Sequence, residues 1–146
     1  MQREQHLRAA PEDVFPFFGD ARNLEAITPP FLGFRVVTPE PIEMRVGTLI
    51  QYRLRLHGLP ISWLTSIQAW EPPVRFVDVQ VRGPYALWHH THEFARSADG
   101  GTEMTDTVRY ALPLGPAGAA AHALFVKRDL ERIFDFRREE VARRIG

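Results

Sequence analysis

The segment Phe76–Phe94, FVDVQVRGPYALWHHTHEF, holds three of the six histidines in this sequence, the side chains best suited to move a proton near neutral pH. His90 and His92 lie two residues apart, so on a strand they share one face while His89 points to the other. Asp78 precedes them in the same segment, and Asp106 follows on the next one. Imidazole titrates near neutrality, and a carboxylate beside it fixes its tautomer and orientation, which is the equipment of general acid–base catalysis. The same four residues suit a structural role equally well, as a hydrogen-bond network that satisfies buried polar groups and pins strand register. Two histidines and one carboxylate also form a donor set for zinc or iron. HHTH is not a spaced metal motif, however, and the reading adopted needs neither metal nor cofactor. His6, His57, His89 and His122 are expected at the surface or at sheet edges.

The elements that position these residues follow from periodicity. Residues 2–9 suggest a first strand. Pro11 followed by Glu12 and Asp13 marks a helix start, with Pro16 shortening or bending the helix. Asp20 offers an N-cap to a second short helix running through Leu24 and Ile27, which Thr28-Pro29-Pro30 ends. From Phe31 the pattern turns to period two, predicting strands near 33–38, 47–57, 61–70, 74–82, 86–97 and 102–112. Turn signals separate them at Gly58-Leu59-Pro60, Glu71-Pro72-Pro73, Gly83-Pro84 and Asp99-Gly100-Gly101. After Leu112, Pro113-Leu114-Gly115-Pro116 stops the last strand. One amphipathic helix is then predicted to about Arg144, with Val126, Leu130, Ile133, Phe134 and Val141 on its apolar side.

A three-residue loop at Ala98-Asp99-Gly100 would place Ser97 opposite Gly101, and that register pairs Phe94 with Met104, His92 with Asp106, His90 with Val108 and Trp88 with Tyr110. These side chains are large and mostly apolar, so their face is assigned to the long helix, and Glu93, Glu103 and Arg109 to solvent. The Gly83-Pro84 turn leaves two registers. One pairs Phe76 with His92, Asp78 with His90 and Gln80 with Trp88; the other, one residue away, turns Val77, Val79 and Val81 inward. Mutual partnering of the aspartates and histidines favours the first, and hydrophobicity the second. Trp63, Thr65 and Ile67 continue the inner wall.

Composition narrows the classes. The chain has 146 residues, 45% hydrophobic and 25% charged, with 18 basic against 18 acidic groups and no cysteine. That fits one domain spanning residues 1–146. It excludes disulfides, a thiol nucleophile and a Cys-bound zinc, and the balanced charge gives no net field to attract nucleic acid. Lys127 is the sole lysine beside 17 arginines, so imine chemistry would rest on a single residue. No apolar run is long enough to span a bilayer, and MQREQHLRAAPEDVF lacks the apolar core of a signal peptide, so the expected location is the cytoplasm.

Four segments resemble the SRPBCC superfamily, which includes START-like lipid-binding domains, polyketide cyclases and the major birch-pollen allergen: NLEAITPP at 23–30, RFVDVQVRGPYALWHHTHEF at 75–94, GGTEMTDTVRYALP at 100–113 and IFDFR at 133–137. They are similar to a bacterial subgroup described as ligand-binding or cyclase/dehydrase-like. The resemblance implies an α+β helix-grip fold of order β-α-α-β6-α, in which a curved antiparallel seven-stranded sheet wraps a long C-terminal helix around a deep cavity. It further implies that the aromatic set Trp63, Phe76, Trp88, Phe94 and Tyr110 lines a pocket, with Thr65, Gln80, Met104 and Val108 from the sheet and Val126, Leu130, Ile133, Phe134 and Arg137 from the helix.

The expected function is binding of a small hydrophobic molecule, such as a polyketide, isoprenoid, sterol-like compound or lipid. Two alternatives stand beside it. One is a cofactor-independent cyclase or dehydratase using His90, His92, Asp78 and Asp106; the other is a stress-response or protein-interaction module with a vestigial cavity. No nucleic-acid partner or integral membrane association is expected, and exposed sheet edges allow a monomer or a homodimer. The Gly- and Ala-rich stretch 115–123 has two readings: a gate over the cavity mouth with residues 56–61, or a site of close helix–sheet approach. Arg137 either faces the sheet and pairs with a carboxylate there or is a solvated helix charge.

Overall fold

The computed structural model describes residues 1–113 and 115–146. Within the last helix the side chains of residues 117–119, 121 and 122 lie outside the description, and with them the expected edge position of His122 and most of the expected gate. The period-two stretches form seven strands: β1 (Gln2–Leu7), β2 (Arg35–Val36), β3 (Leu49–Leu56), β4 (Leu59–Glu71), β5 (Arg75–Arg82), β6 (Leu87–Arg96) and β7 (Thr102–Ala111). All pair antiparallel in one sheet of order β1-β7-β6-β5-β4-β3-β2, so β1 closes one edge by pairing with the last strand. Between β1 and β2 lie α1 (Pro11–Gly19), α2 (Ala21–Ala26) and a 3-10 turn at Pro30–Leu32, and α3 (Pro116–Ile145) ends the chain.

Local chemistry explains these boundaries. Pro11 opens α1 with Glu12 and Asp13 in its first turn, where the exposed N–H groups favour carboxylates, and Pro16 removes one helical bond shortly before the helix ends. The Asp20 side chain accepts from the Arg22 N–H at 3.0 Å and so starts α2 directly after α1. Between β6 and β7, the Ser97 N–H donates to the Gly101 carbonyl at 3.0 Å, and Gly100 takes a φ of 87°, a conformation that suits a residue with no Cβ. The resulting ladder pairs Phe94 with Met104, His92 with Asp106, His90 with Val108 and Trp88 with Tyr110.

The β5–β6 ladder resolves the open register: Phe76 lies opposite His92 and Asp78 opposite His90. It stops at Val79–His89, before Gln80 reaches Trp88. Instead the Gln80 side chain clamps the turn, its Nε2 donating to the Tyr85 carbonyl at 2.7 Å and its Oε1 accepting from the Tyr85 N–H at 3.0 Å. Two other expectations are corrected. The 33–38 strand shrinks to Arg35–Val36, and the turn expected at Gly58-Leu59-Pro60 lies one residue earlier. Leu56 pairs with Leu59 across His57 and Gly58, both with positive φ, the type I′ geometry that matches the strand twist and lets β4 begin at Leu59.

The interior divides into three apolar clusters around an unfilled centre. In the first, Phe15 of α1 meets the rings of Trp70, Phe76 and Phe94 edge-on beside Leu7, Met104 and Val141. The second joins Leu130 and Phe134 of α3 to Trp88 and Val108, and the third sets Ala21 of α2 against Ile50 and Tyr52. The recurrence of Leu130, Phe134 and Val141 along one side of α3 is what carries that helix across the concave face. No helix among the described residues is long and apolar enough to cross a membrane.

Removing Phe15 empties the junction of α1 with three strands. Phe15→Ala is expected to cost about 3–5 kcal/mol in urea unfolding. Leu124→Ala, at a side chain 75% exposed near the start of α3, should stay within about 0.5 kcal/mol.

Candidate functional site

Between the three clusters lies a cavity of about 160 Å³. The sheet supplies Ile50, Tyr52, Leu54, Leu56, Trp63, Thr65, Ile67, Phe76 and Trp88 to its wall, and α3 supplies Leu130, Ile133, Phe134 and Arg137. Phe18, Leu24, Ile27, Thr28, Leu32 and Phe34 close it from the α1–α2 side, with Pro84 and Tyr85 from the β5–β6 turn. The wall is largely apolar, with the hydroxyls of Thr28, Tyr52 and Thr65 spread along it, and its charged and imidazole groups, Asp78, His90, His92 and Arg137, all belong to one cluster.

Of the expected pocket residues, Trp63, Thr65, Phe76, Trp88, Leu130, Ile133, Phe134 and Arg137 border this space. The others do not. Phe94 and Met104 are absorbed by packing around Phe15 and Val141, while Val108 and Val126 pack with Leu130 and Phe134. Tyr110 packs its ring among Tyr85 and Trp88, and Gln80 is committed to the turn. The contribution of α1, α2 and β3 has no counterpart among the expected residues. The alternation of Ile50, Tyr52, Leu54 and Leu56 is the available signal for β3.

The polar end is a closed four-membered arrangement spanning three strands. On β6 the rings of His90 and His92 stack at 3.7 Å between centroids, and Phe76 stacks on the far side of His92 at 3.9 Å. Asp106 of β7 binds from behind, its Oδ1 2.9 Å from His90 Nε2 and 3.1 Å, off the ring N–H direction, from His92 Nδ1. Asp78 of β5 binds on the cavity side, its Oδ2 2.6 Å from His92 Nε2. His90 Nδ1 lies 3.9 Å from that oxygen, beyond hydrogen-bond range, and keeps a free position toward the cavity. Arg137 comes from α3 with its guanidinium 5.0 Å from the Phe134 ring centre. It faces the sheet, as one reading required, but among the described residues it forms no ion pair, and its Nε is buried without a partner.

Burial works against charge on every one of these groups, and their neighbours decide the outcome. For Asp106 burial pushes the carboxyl up, but the hydrogen bond from His90 and the close approach of the His92 ring outweigh it and hold the group well below the usual carboxylate range. Asp78 behaves likewise, its burial outweighed by His90, His92 and, more distantly, Arg137. The two imidazoles separate. Burial and the neighbouring His92 lower His90, whereas burial of His92 is overcome by Asp106 and Asp78 together, which raise it. Burial lowers the Arg137 guanidinium against the opposing pull of Asp106, Asp78 and Tyr52. With His92 and Arg137 cationic, both carboxylates ionised and His90 neutral, the buried cluster carries no net charge, the condition under which it is least costly to enclose.

Asp78, His90 and His92 each bring one ligating atom within 4.8 Å of the others. The two rings lie only 28° from parallel, which sends their in-plane lone pairs side by side instead of onto one point. The geometry suits protons shared with two carboxylates better than a chelated ion. Two further histidines are peripheral: His6 lies between Asp99 and Glu103, and the exposed His57 reaches Asp129 of α3 at 2.7 Å, tying the β3–β4 hairpin to the helix.

No family model matches the sequence, and no curated protein matches it either. Solved structures do. Protein TTHA0849 from Thermus thermophilus is similar at a TM-score of 0.71 and 21% identity, over 97% of this chain and 95% of that one. Protein Ms6760 from Mycobacterium smegmatis gives 0.70 at 19% identity, over 97% and 87%. Ara h 8.0201 gives 0.65 at 18%, over 97% and 95%. This chain has the helix-grip fold. The grip is the concave sheet closing on α3, and the cavity with its ionic end lies within it.

The split imidazoles give stability two opposing pH limbs. His90, lowered by folding, contributes stability that is present above its ordinary value near 6.5 and is lost as pH falls through its folded value. His92, raised by folding, contributes stability that is present below 6.5 and is lost as pH rises through its folded value. The carboxylates add a further acid loss below about pH 4. Urea-unfolding free energy should therefore peak between about pH 6 and 7, and His92→Gln should flatten the alkaline limb.

Proposed function

We propose that this protein binds a small, largely apolar molecule in the cavity between the sheet and α3. The observation that carries the reading is the cavity itself: a largely apolar wall with a few polar groups, its charged ones in one cluster, is how small-molecule sites are built. The fold shared with Ara h 8.0201 and the bacterial structures is compatible with it. Size narrows the ligand. An apolar cavity of about 150 Å³ holds a benzene ring, so a space of about 160 Å³ takes one ring or a short branched chain. A polyketide, sterol-like molecule or lipid would need the sheet and α3 to part.

A specific observation favours acid–base chemistry as a second reading. With Nε2–H donated to Asp106, a neutral His90 presents the Nδ1 lone pair to the cavity, where a bound molecule bearing an acidic C–H would meet a base. The cyclase or dehydratase alternative would use His90 as that base, His92 as the acid, and Asp78 and Asp106 to hold them.

Native mass spectrometry of protein from its own source, with extraction of anything carried, tests the binding reading first. Toluene titrated against the Trp63 and Trp88 fluorescence tests it directly: saturable binding is expected. Ile133→Trp, which fills the cavity from α3, should weaken binding tenfold or more while leaving the unfolding midpoint unchanged or higher. An extracted ligand returned at a different mass, with that conversion lost in His90→Gln, would favour the enzyme.

A further inference from the structure

The helical stripe that lines the cavity, Leu130, Ile133 and Phe134, continues one turn on to Arg137, so a cation is delivered to the inside of an apolar space by the same periodicity that delivers the wall. A guanidinium offers five donors in a planar fork. Among the described residues none of them finds an acceptor, and the Nε is wholly buried. The nearby carboxylates are already engaged, Asp106 with both imidazoles and Asp78 with His92. Arg137 is thus a half-buried cation with an enclosed Nε, balanced by charge at a distance but without a hydrogen-bonded partner among the described residues.

We infer that the cavity takes its ligand as a small apolar carboxylate, the acid group on Arg137 and the ring or chain against the apolar wall, with a proton taken up by the His90–His92 pair on binding. This deepens the binding reading of the same cavity and rests on it. The planar fork matches a carboxylate in a two-point contact that a hydroxyl or carbonyl does not complete. A small neutral hydrocarbon would fill the space and leave the guanidinium unsatisfied, and a dianion such as a phosphate ester would bring a second charge with no second free cation, among the described residues, to receive it.

Charge balance supplies the proton. The groups facing the His pair are Asp78 from β5, Asp106 from β7, Tyr52 from β3 and Arg137 from α3, with Thr65 from β4 neutral; α1 and α2 bring apolar side chains and Thr28. Without ligand, two carboxylates face one imidazolium and one guanidinium. A ligand carboxylate adds an uncompensated negative charge, and His90, with Nδ1 open, is the group able to offset it by accepting a proton. Affinity then falls as pH rises above neutrality, by at most about tenfold per pH unit for one coupled proton.

Isothermal titration calorimetry separates the possibilities with three probes: benzoate, benzyl alcohol and acetate, each at pH 7 in two buffers of different ionisation enthalpy. Benzoate is expected to bind at least tenfold more tightly than benzyl alcohol, acetate not measurably, and benzoate binding to take up between half a proton and one. Arg137→Met should weaken benzoate tenfold or more while sparing benzyl alcohol; if circular dichroism shows that variant unfolded, Arg137→Lys, which keeps the charge without the fork, takes its place and should lose most of the preference. Benzyl alcohol bound as tightly as benzoate would overturn the carboxylate inference and leave the cavity reading standing. Neither compound binding would overturn both. Acetate binding as well as benzoate would mean an anion site independent of the apolar wall, and benzoate binding without proton uptake would remove the role given to the His pair.

Discussion

Two carboxylates enclosed beneath a helix must be balanced by two cations, and much of this molecule is arranged around that requirement. Asp78 and Asp106 sit on the strands flanking β6, so the histidines between them are held from both sides. A one-residue slip of β5 would carry Asp78 to the outer face and leave His92 with one carboxylate instead of two. The register that loses Val79 and Val81 from the interior is therefore the one adopted: Val81 is 51% exposed, while Val77 is buried even on the outer face. The hydrophobic cost of the polar register is smaller than a count of valines suggests. Arg137 completes the balance from the opposite layer, linking the placement of α3 to the same four side chains.

The cavity follows from how the remaining space is divided. Phe15 and its ring contacts fill one end of the concave face, Leu130 and Phe134 seal a second region against Trp88, and Ile50 and Tyr52 pack with α2 in a third. The sheet is too curved for one helix to fill what lies between, and the ionic cluster borders that space. An apolar enclosure with a charged end suits an amphipathic small molecule, and the unequal share of the two carboxylates separates the behaviour of the two imidazoles. Binding and proton transfer would draw on the same residues here.

What can be read in the sequence is what short-range rules control. Gly100 in a three-residue loop sets the pairing of β6 with β7, and with it the approach of His92 to Asp106, because strand alternation then dictates every facing side chain. Asp20 and Pro11 place α1 and α2 through capping and proline geometry. The β5 register is undecided between local hydrophobicity and long-range ion pairing, and only the latter's satisfaction in three dimensions resolves it. Alternation also states which face a residue occupies without stating how far along a curved strand it lies from the helix. Phe94, Met104 and Val108 are thus on the inner face but packed shut, whereas Tyr52 and Leu54 of β3 reach the cavity across a distance no local pattern encodes. Parity assigns Gln80 to the interior, yet an amide beside a turn has the nearer option of the Tyr85 backbone.

Electroneutrality of the buried cluster, reached through one charged and one neutral histidine, is the condition on which the rest depends. Two-dimensional nitrogen–proton NMR of the imidazole rings at pH 6.5, where a free histidine is about half protonated, reads it directly. The expected result is His92 mostly with both ring nitrogens protonated, and His90 mostly neutral with its proton on Nε2. Two rings titrating together with the free value, or His90 charged while His92 is neutral, would contradict it.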